Sequence, residues 1–323
     1  GAEGELAGLA VQYLRVYALC SPLSTFIFAM DNYLRICGKA NFSMWMNISV
    51  AVLNIFLDWF FLAYLRLDIR FAALATSVSM TLGVLIAMTP IFLRKLTLRF
   101  TRPRISLSTT LGIFHNGSSE FFNNISGSFM STVVNAFLLH LGGGTAVAAY
   151  GIVMYLDSLL LMALYGILDS LQPPVSYNIG AGNHQKAREF FRLSCKVTAA
   201  ISLACLLAMV CFPRELASLF LQENSAEVLE MTVTALRLYA PAYLFLWLNM
   251  VISSFLTAMD RAKDSLTIML FRALIFPSLS LAIFPQILDV TGIFITPAIS
   301  GALTVIISTT IWRRLGKQQP QEA

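Results

Sequence analysis

Long apolar stretches separated by short polar segments dominate this chain. Within them apolar residues run continuously instead of alternating with period two, and several runs exceed 18 residues with few charges. A helix rises 1.5 Å per residue, so about 20 such residues cross the roughly 30 Å hydrocarbon core of a bilayer. No water in that core can pair with backbone N–H or C=O groups, which leaves helices or closed barrels. Continuous apolar runs select helices. The pattern predicts nine spans, at residues 13–36, 44–65, 71–93, 109–139, 146–171, 190–212, 234–259, 265–288 and 291–312. The fourth is overlong for one crossing and is expected to tilt, bend or project.

Composition points the same way. Of 323 residues, 57% are hydrophobic and 12% charged, about half the charge of an ordinary soluble domain. That is too little polar side chain to coat a surface facing water, and the bilayer becomes the expected partner. The net charge of +5 is explained by position rather than by nucleic acid, and no nucleic-acid partner is expected. One set of alternate loops, around Lys39, Arg94–Arg104, Lys186–Lys196, Arg261 and Arg313, carries 16 Lys and Arg residues; the other carries five. Basic loops stay on the cytoplasmic side. The expectation is a multi-pass protein of the cell membrane with its C-terminus inside and residue 1 outside. Residues 1–12 show no signal peptide, so this topology predicts spans upstream of residue 1.

An internal repeat supports that expectation. Tyr13-Leu-Arg-Val-Tyr-Ala18 resembles Ala235-Leu-Arg-Leu-Tyr-Ala240 at an offset of 222. The same ungapped offset maps Leu34 on Leu256, Lys39 on Arg261 and Ala40 on Ala262. Spans 1–3 therefore match spans 7–9 in a parallel repeat. Internal repeats mark secondary transporters, and the expected whole is two six-helix halves in tandem. The expected organisation is residues 1–93 as part of an amino-terminal lobe, 94–108 as a basic linker, 109–315 as a carboxy-terminal lobe and 316–323 as a tail.

Enzymatic and ATP-driven readings lack their motifs: the sequence contains no G-x-x-x-x-G-K-[ST], H-E-x-x-H or G-x-S-x-G. The five cysteines lie in apolar stretches without a C-x-x-C pair, as small buried hydrophobes would. Ionisable residues inside spans are costly in lipid and face a cavity or a partner. Asp58 follows Asn54 by four, so both share one helix face, and Thr76 on the next span reaches similar depth. A carboxylate, an amide and a hydroxyl together can hold Na⁺ or a transferable proton; an interfacial Asp that snorkels or caps is the alternative. Asp157 is the deepest of the remaining acids. Glu120 and Asp169 lie nearer water and are expected to be structural or vestibular, and Arg272 could pair with one of the three.

Several of these segments resemble the multidrug and toxic compound extrusion (MATE) transporters, nearest the prokaryotic DinF-like branch. Leu34-Arg-Ile-Cys-Gly38-Lys, Leu53-Asn-Ile-Phe-Leu-Asp58 and Ala72-Ala-Leu-Ala-Thr76 are similar to the family's patterns in helices 4, 5 and 6. Gln172-Pro-Pro-Val-Ser-Tyr177-Asn-Ile-Gly180-Ala is similar to its segment after helix 8. The resemblance covers essentially the whole chain as helices 4–12 of twelve. It implies an all-α, two-lobed membrane bundle lacking the first three helices. It also implies H⁺- or Na⁺-coupled export of amphipathic, often cationic compounds by a monomeric antiporter without further cofactor. Asn54, Asp58 and Thr76 fall on the family's amino-terminal cation site, whose remaining partners lie on helix 1. Glu120, Asp157, Asp169 and Gln172 are candidates for the cavity. Phe71 departs from the family's usual Gly at the start of helix 6, and Gly301 from a frequent Glu in helix 12. The alternatives carried forward are a lipid-linked saccharide flippase of the same superfamily, an inactive membrane fragment and a membrane enzyme.

Overall fold

The computed structural model describes residues 5–96, 98, 99, 106–221 and 226–318. Every regular element among them is helical, and the chain divides into two units, Gly1–Arg104 and Ile105–Ala323.

The first unit contains α1 (Glu5–Ser24), α2 (Phe26–Ile36), α3 (Ala40–Asp58) and α4 (Arg70–Phe92). Pro22 lies inside α1; a proline removes one helical N–H and crowds the preceding turn. The run breaks at Thr25, whose hydroxyl donates to Ser21 O at 2.6 Å. Ile27, Met30 and Leu34 of α2 pack on Met46 of α3 and on Val84, Ala87 and Ile91 of α4. The outer faces keep large apolar side chains uncovered: Leu19 is 83% exposed, Trp45 63% and Ile55 69%. In water such faces would drive association; lipid tails are as apolar as these side chains. A π-helical turn, Trp59–Tyr64, follows α3 directly.

The second unit contains α5 (Leu107–Gly180), α6 (His184–Cys211), α7 (Pro213–Ser218), α8 (Ala226–Tyr239), α9 (Tyr243–Ala258), α10 (Ala262–Leu270), α11 (Phe276–Ile283) and α12 (Pro285–Gln318). A π turn, Phe271–Ile275, joins α10 to α11. Its core gathers Val153, Leu160 and Leu164 of α5, Leu236 of α8, Tyr243 of α9 and Phe294 of α12.

Among the described residues, eight continuous helices are long and apolar enough to cross a membrane. One of them, Asn124–Gly180, has 57 residues, which at 1.5 Å each is far longer than one crossing. It kinks at Gly143, where φ is +62°, a conformation that glycine adopts without steric cost. Its two arms are the fourth and fifth predicted spans. Pro241 interrupts the Ala226–Ala258 run with a 3₁₀ turn at Ala240–Ala242, and the helix starts eight residues before the predicted 234.

The repeat is visible in the backbone. The turns leaving α2 and α9 carry the same bonds at an offset of 222: Cys37 N to Tyr33 O (3.0 Å) and Met259 N to Phe255 O (3.1 Å), then Lys39 N to Leu34 O (2.8 Å) and Arg261 N to Leu256 O (2.9 Å). Gly38 and Asp260 occupy matching positions with φ of +71° and +59°. This is the 6→1 bond with a left-handed residue that ends many helices. The contact beside each turn also corresponds. The Ser43 hydroxyl donates to Asp31, while at 222 residues further on the Ser253 and Ser265 hydroxyls meet at 3.0 Å.

Candidate functional site

In the first unit the period of α3 puts Asn54 and Asp58 on one face, one turn apart. Asn54 Nδ2 donates to Thr76 Oγ1 of α4 at 3.4 Å, and Thr76 Oγ1 donates to Ala72 O at 3.2 Å. The amide and the hydroxyl expected to converge are therefore in contact. Asp58 is half-buried, and its Oδ1 is shielded from solvent without a hydrogen-bond partner among the described residues. A carboxylate oxygen taken out of water without a donor is unfavourable, and a cation or a proton removes that cost. The π turn begins at Trp59, the residue after Asp58; such turns recur at functional positions. The oxygens of Asp58, Asn54 and Thr76 are the hard ligand type that alkali cations take. Three side chains leave room in a Na⁺ shell for further oxygens, whereas a proton needs only the carboxylate.

The second unit contains an open cavity of about 480 Å³. Asp157 of α5 lines it, 8% exposed. The fully buried Tyr243 donates its hydroxyl to Asp157 Oδ1 at 2.9 Å, and Tyr239 lines the same cavity. The 3₁₀ turn at Ala240–Ala242 lies between the two tyrosines. Arg272, on the second π turn, lines the same cavity close enough to act on Asp157 electrostatically. Opposite them, fully buried Asn249 donates to Gly301 O at 3.1 Å and accepts from Ser308 at 2.8 Å, tying α9 to α12.

The remaining candidates lie elsewhere. Asp169 is exposed on α5 and is not among the described lining residues. Gln172 Nε2 donates to Ser254 Oγ at 3.3 Å, and Ser176 Oγ donates to Ala258 O at 2.7 Å; these are cross-links from α5 to α9. The side chain of Glu120 lies outside the described residues. The tyrosine pair was missed by a search for intramembrane charges. The signal was available, because two tyrosines spaced by four around a proline in an apolar span need partners for their hydroxyls.

Comparison with known proteins follows from this geometry. A solved multidrug resistance MATE transporter of the MOP superfamily, in an outward-facing conformation, superposes with a TM-score of 0.90 at 24% identity, over 100% of this chain and 72% of that one. A MOP superfamily transporter from Pyrococcus furiosus, described as having a binding pocket of reverse polarity, gives 0.91 at 23% identity, over 100% of this chain and 73% of its own. The multidrug export protein MepA of Staphylococcus aureus is 26% identical over 256 residues, covering 76% of this chain, and the chain spans 55% of MepA's length. An FAD transporter of Shewanella oneidensis is 26% identical over 325 residues, covering 98% of this chain and 70% of that protein. The MatE family model matches residues 1–60 and 121–282. That family is one of membrane transporters rather than enzymes, and with its model matching most of the sequence, the chain belongs to the MatE family.

Proposed function

We propose that the chain serves a cation-coupled antiporter that exports amphipathic, cationic compounds by alternating access. The observation that carries the coupling role is Asp58 Oδ1, shielded and without a donor beside the Asn54–Thr76 contact. A group that gains a proton or Na⁺ on one side of the membrane and yields it on the other couples the gradient to the conformational cycle. The carboxylate and aromatic wall of the second cavity support recognition of an amphipathic cation. The names of the multidrug relatives support the same substrate class. The basic loops support a cytoplasmic C-terminus, and the proposed transporter works as a monomer.

The test is efflux of ethidium from cells expressing the full-length protein. Asp58→Asn abolishes it at unchanged expression; undiminished efflux overturns the role of Asp58. Thr76→Ala separates the ions, because it removes a Na⁺ ligand and leaves a proton acceptor untouched. Efflux that survives Thr76→Ala but not Asp58→Asn identifies H⁺.

A second reading has its own observation. Arg272 gives the cavity a guanidinium, which pairs well with phosphate, and one relative aligned along nearly the whole chain is named an FAD transporter. Export of FAD instead of ethidium, lost in Arg272→Gln, selects this reading.

A further inference from the structure

We infer that a cleft at one end of the first unit binds the phosphate of an anionic phospholipid headgroup. The cleft has a volume of about 570 Å³ and lies between the turn from α2 to α3 (Gly38–Phe42) and the end of α4 (Thr89–Lys95). Its position sets the depth. The three apolar runs of this unit end or begin at Ile36, Ala40 and Phe92, so the cleft sits where hydrocarbon gives way to headgroups.

Its charge has one sign. Lys39 lines one wall and Lys95 the other. Neither forms an ion pair among the described residues. The N-terminus of α3 adds to them: Lys39 gives no side-chain cap and the first turn holds no acid. Ser43 N is the first amide to bond back, to Lys39 O at 3.0 Å, and the preceding N–H groups present the positive end of the helix. The partial negative charge at the end of α4, about half a unit, is smaller than the charge of the two lysines. Thr89, Pro90 and Ile91 O already accept from Leu93, Lys95 and Arg94 N at 2.9, 2.9 and 3.0 Å.

The repeat supplies an internal control. The turn from α9 to α10 has the same backbone bonds, but its arginine is answered within the chain: Arg261 pairs with Asp264 at 3.5 Å, in the first turn of α10. At an offset of 222, Phe42 stands where the duplicate has Asp264. One copy answers its turn's cation with Asp264; in the other the nearest acid of α2, Asp31, is already engaged by Arg35, Ser43 and Asn47 and does not line the cleft, which leaves two lysines beside an exposed phenylalanine. Phe42 is 36% exposed and Leu93 63%, an apolar rim that suits an acyl chain below a phosphate and does nothing for a free ion. Basic pockets between membrane helices recognise lipid headgroups in this way.

The test uses the whole chain purified in neutral detergent, with lipid retention read by native mass spectrometry. Dioleoyl phosphatidylglycerol is retained in preference to dioleoyl phosphatidylcholine. The preference falls about fivefold in Lys39→Gln or Lys95→Gln and about thirtyfold in the double variant, and the Lys39→Arg/Lys95→Arg double variant keeps it. Arg261→Gln leaves it unchanged, and unaltered melting of the Gln variants shows that their fold is intact. Equal retention of the two lipids overturns the proposal, as does a double Gln variant that binds like the parent. Displacement of phosphatidylglycerol by millimolar inorganic phosphate also overturns it, because the site would then be one for free phosphate.

Discussion

The Tyr243–Asp157 contact yields a number that reports how the buried carboxyl is held. Tyr243→Phe deletes one oxygen, the donor to Asp157 Oδ1 at 2.9 Å, in a side chain that is 0% exposed. Asp157→Asn keeps the shape of its partner and removes the charge. A hydrogen bond to an ionised group contributes about 1.5–3 kcal/mol; bonds between neutral groups in membrane helices average about 0.6 kcal/mol. The charge-specific part is the difference, about 1–2 kcal/mol. A double-mutant cycle isolates it, since the other losses of each single variant cancel. An ionised carboxyl receiving the Tyr243 hydroxyl in the cavity that Arg272 also lines makes a charge-assisted bond, so the coupling is expected near 1.5 kcal/mol. The assay is reversible unfolding of the purified chain in mixed micelles by dodecyl sulfate, followed by the fluorescence of its four tryptophans. Additivity within about 0.4 kcal/mol would refute the charged pairing and leave Asp157 a neutral hydrogen-bonding group.

Two further predictions concern the frame around that cavity. Asn249→Ala strands Gly301 O and the Ser308 hydroxyl between α9 and α12 and costs about 2–3 kcal/mol in the same unfolding assay; a change below about 0.5 kcal/mol contradicts the bridge. In Gly292→Ala the new Cβ would collide with Phe284 O and stand 2.9 Å from Pro285 N, both backbone atoms. A loss of about 3 kcal/mol or more and a sharp drop in folded yield are expected, and wild-type yield would show that the α11–α12 corner yields easily.

The nine spans were legible because lipid imposes one solution on a continuous apolar run, and the eight continuous helices differ from that count only at Gly143. Sequence spacing brought Asn54 and Thr76 together because both lie on regular helix whose period is fixed. Boundaries were less legible where a local exception intervenes: at Pro241 the helix continues through a 3₁₀ turn, and at Asp289, with φ of +50°, α12 bends, so that residues 285–288, expected to end the eighth span, belong to the ninth. The tyrosines around Asp157 were hidden for a different reason. A search for charge passes over hydroxyls, and the partner is 86 residues away, a distance that periodicity within one span does not address.

The duplication makes the two units a controlled comparison, and it argues against interchangeable ion sites. At an offset of 222, Asn54, Asp58 and Thr76 correspond to Phe276, Ser280 and Ala298. The π turn at Phe271–Ile275 inserts one extra residue ahead of α11, and allowing for it moves the first two to Pro277 and Leu281. Neither register contains an ionisable group, and the Ser280 hydroxyl meets another hydroxyl, Ser300, at 3.3 Å. The second unit instead places its carboxylate on α5, a helix outside the repeated spans, and surrounds it with tyrosines and an arginine. Two copies of one three-helix element have thus diverged in polarity. One presents a carboxylate oxygen without a donor, suited to taking up a cation. The other has no ionisable group at the matching positions; its unit holds a carboxylate on α5 instead, where an incoming substrate must compete with Tyr243 and Arg272. In the proposed cycle, ion uptake at Asp58 and substrate exchange at Asp157 are separate events in separate units, so they act on each other through conformation rather than by sharing one carboxylate.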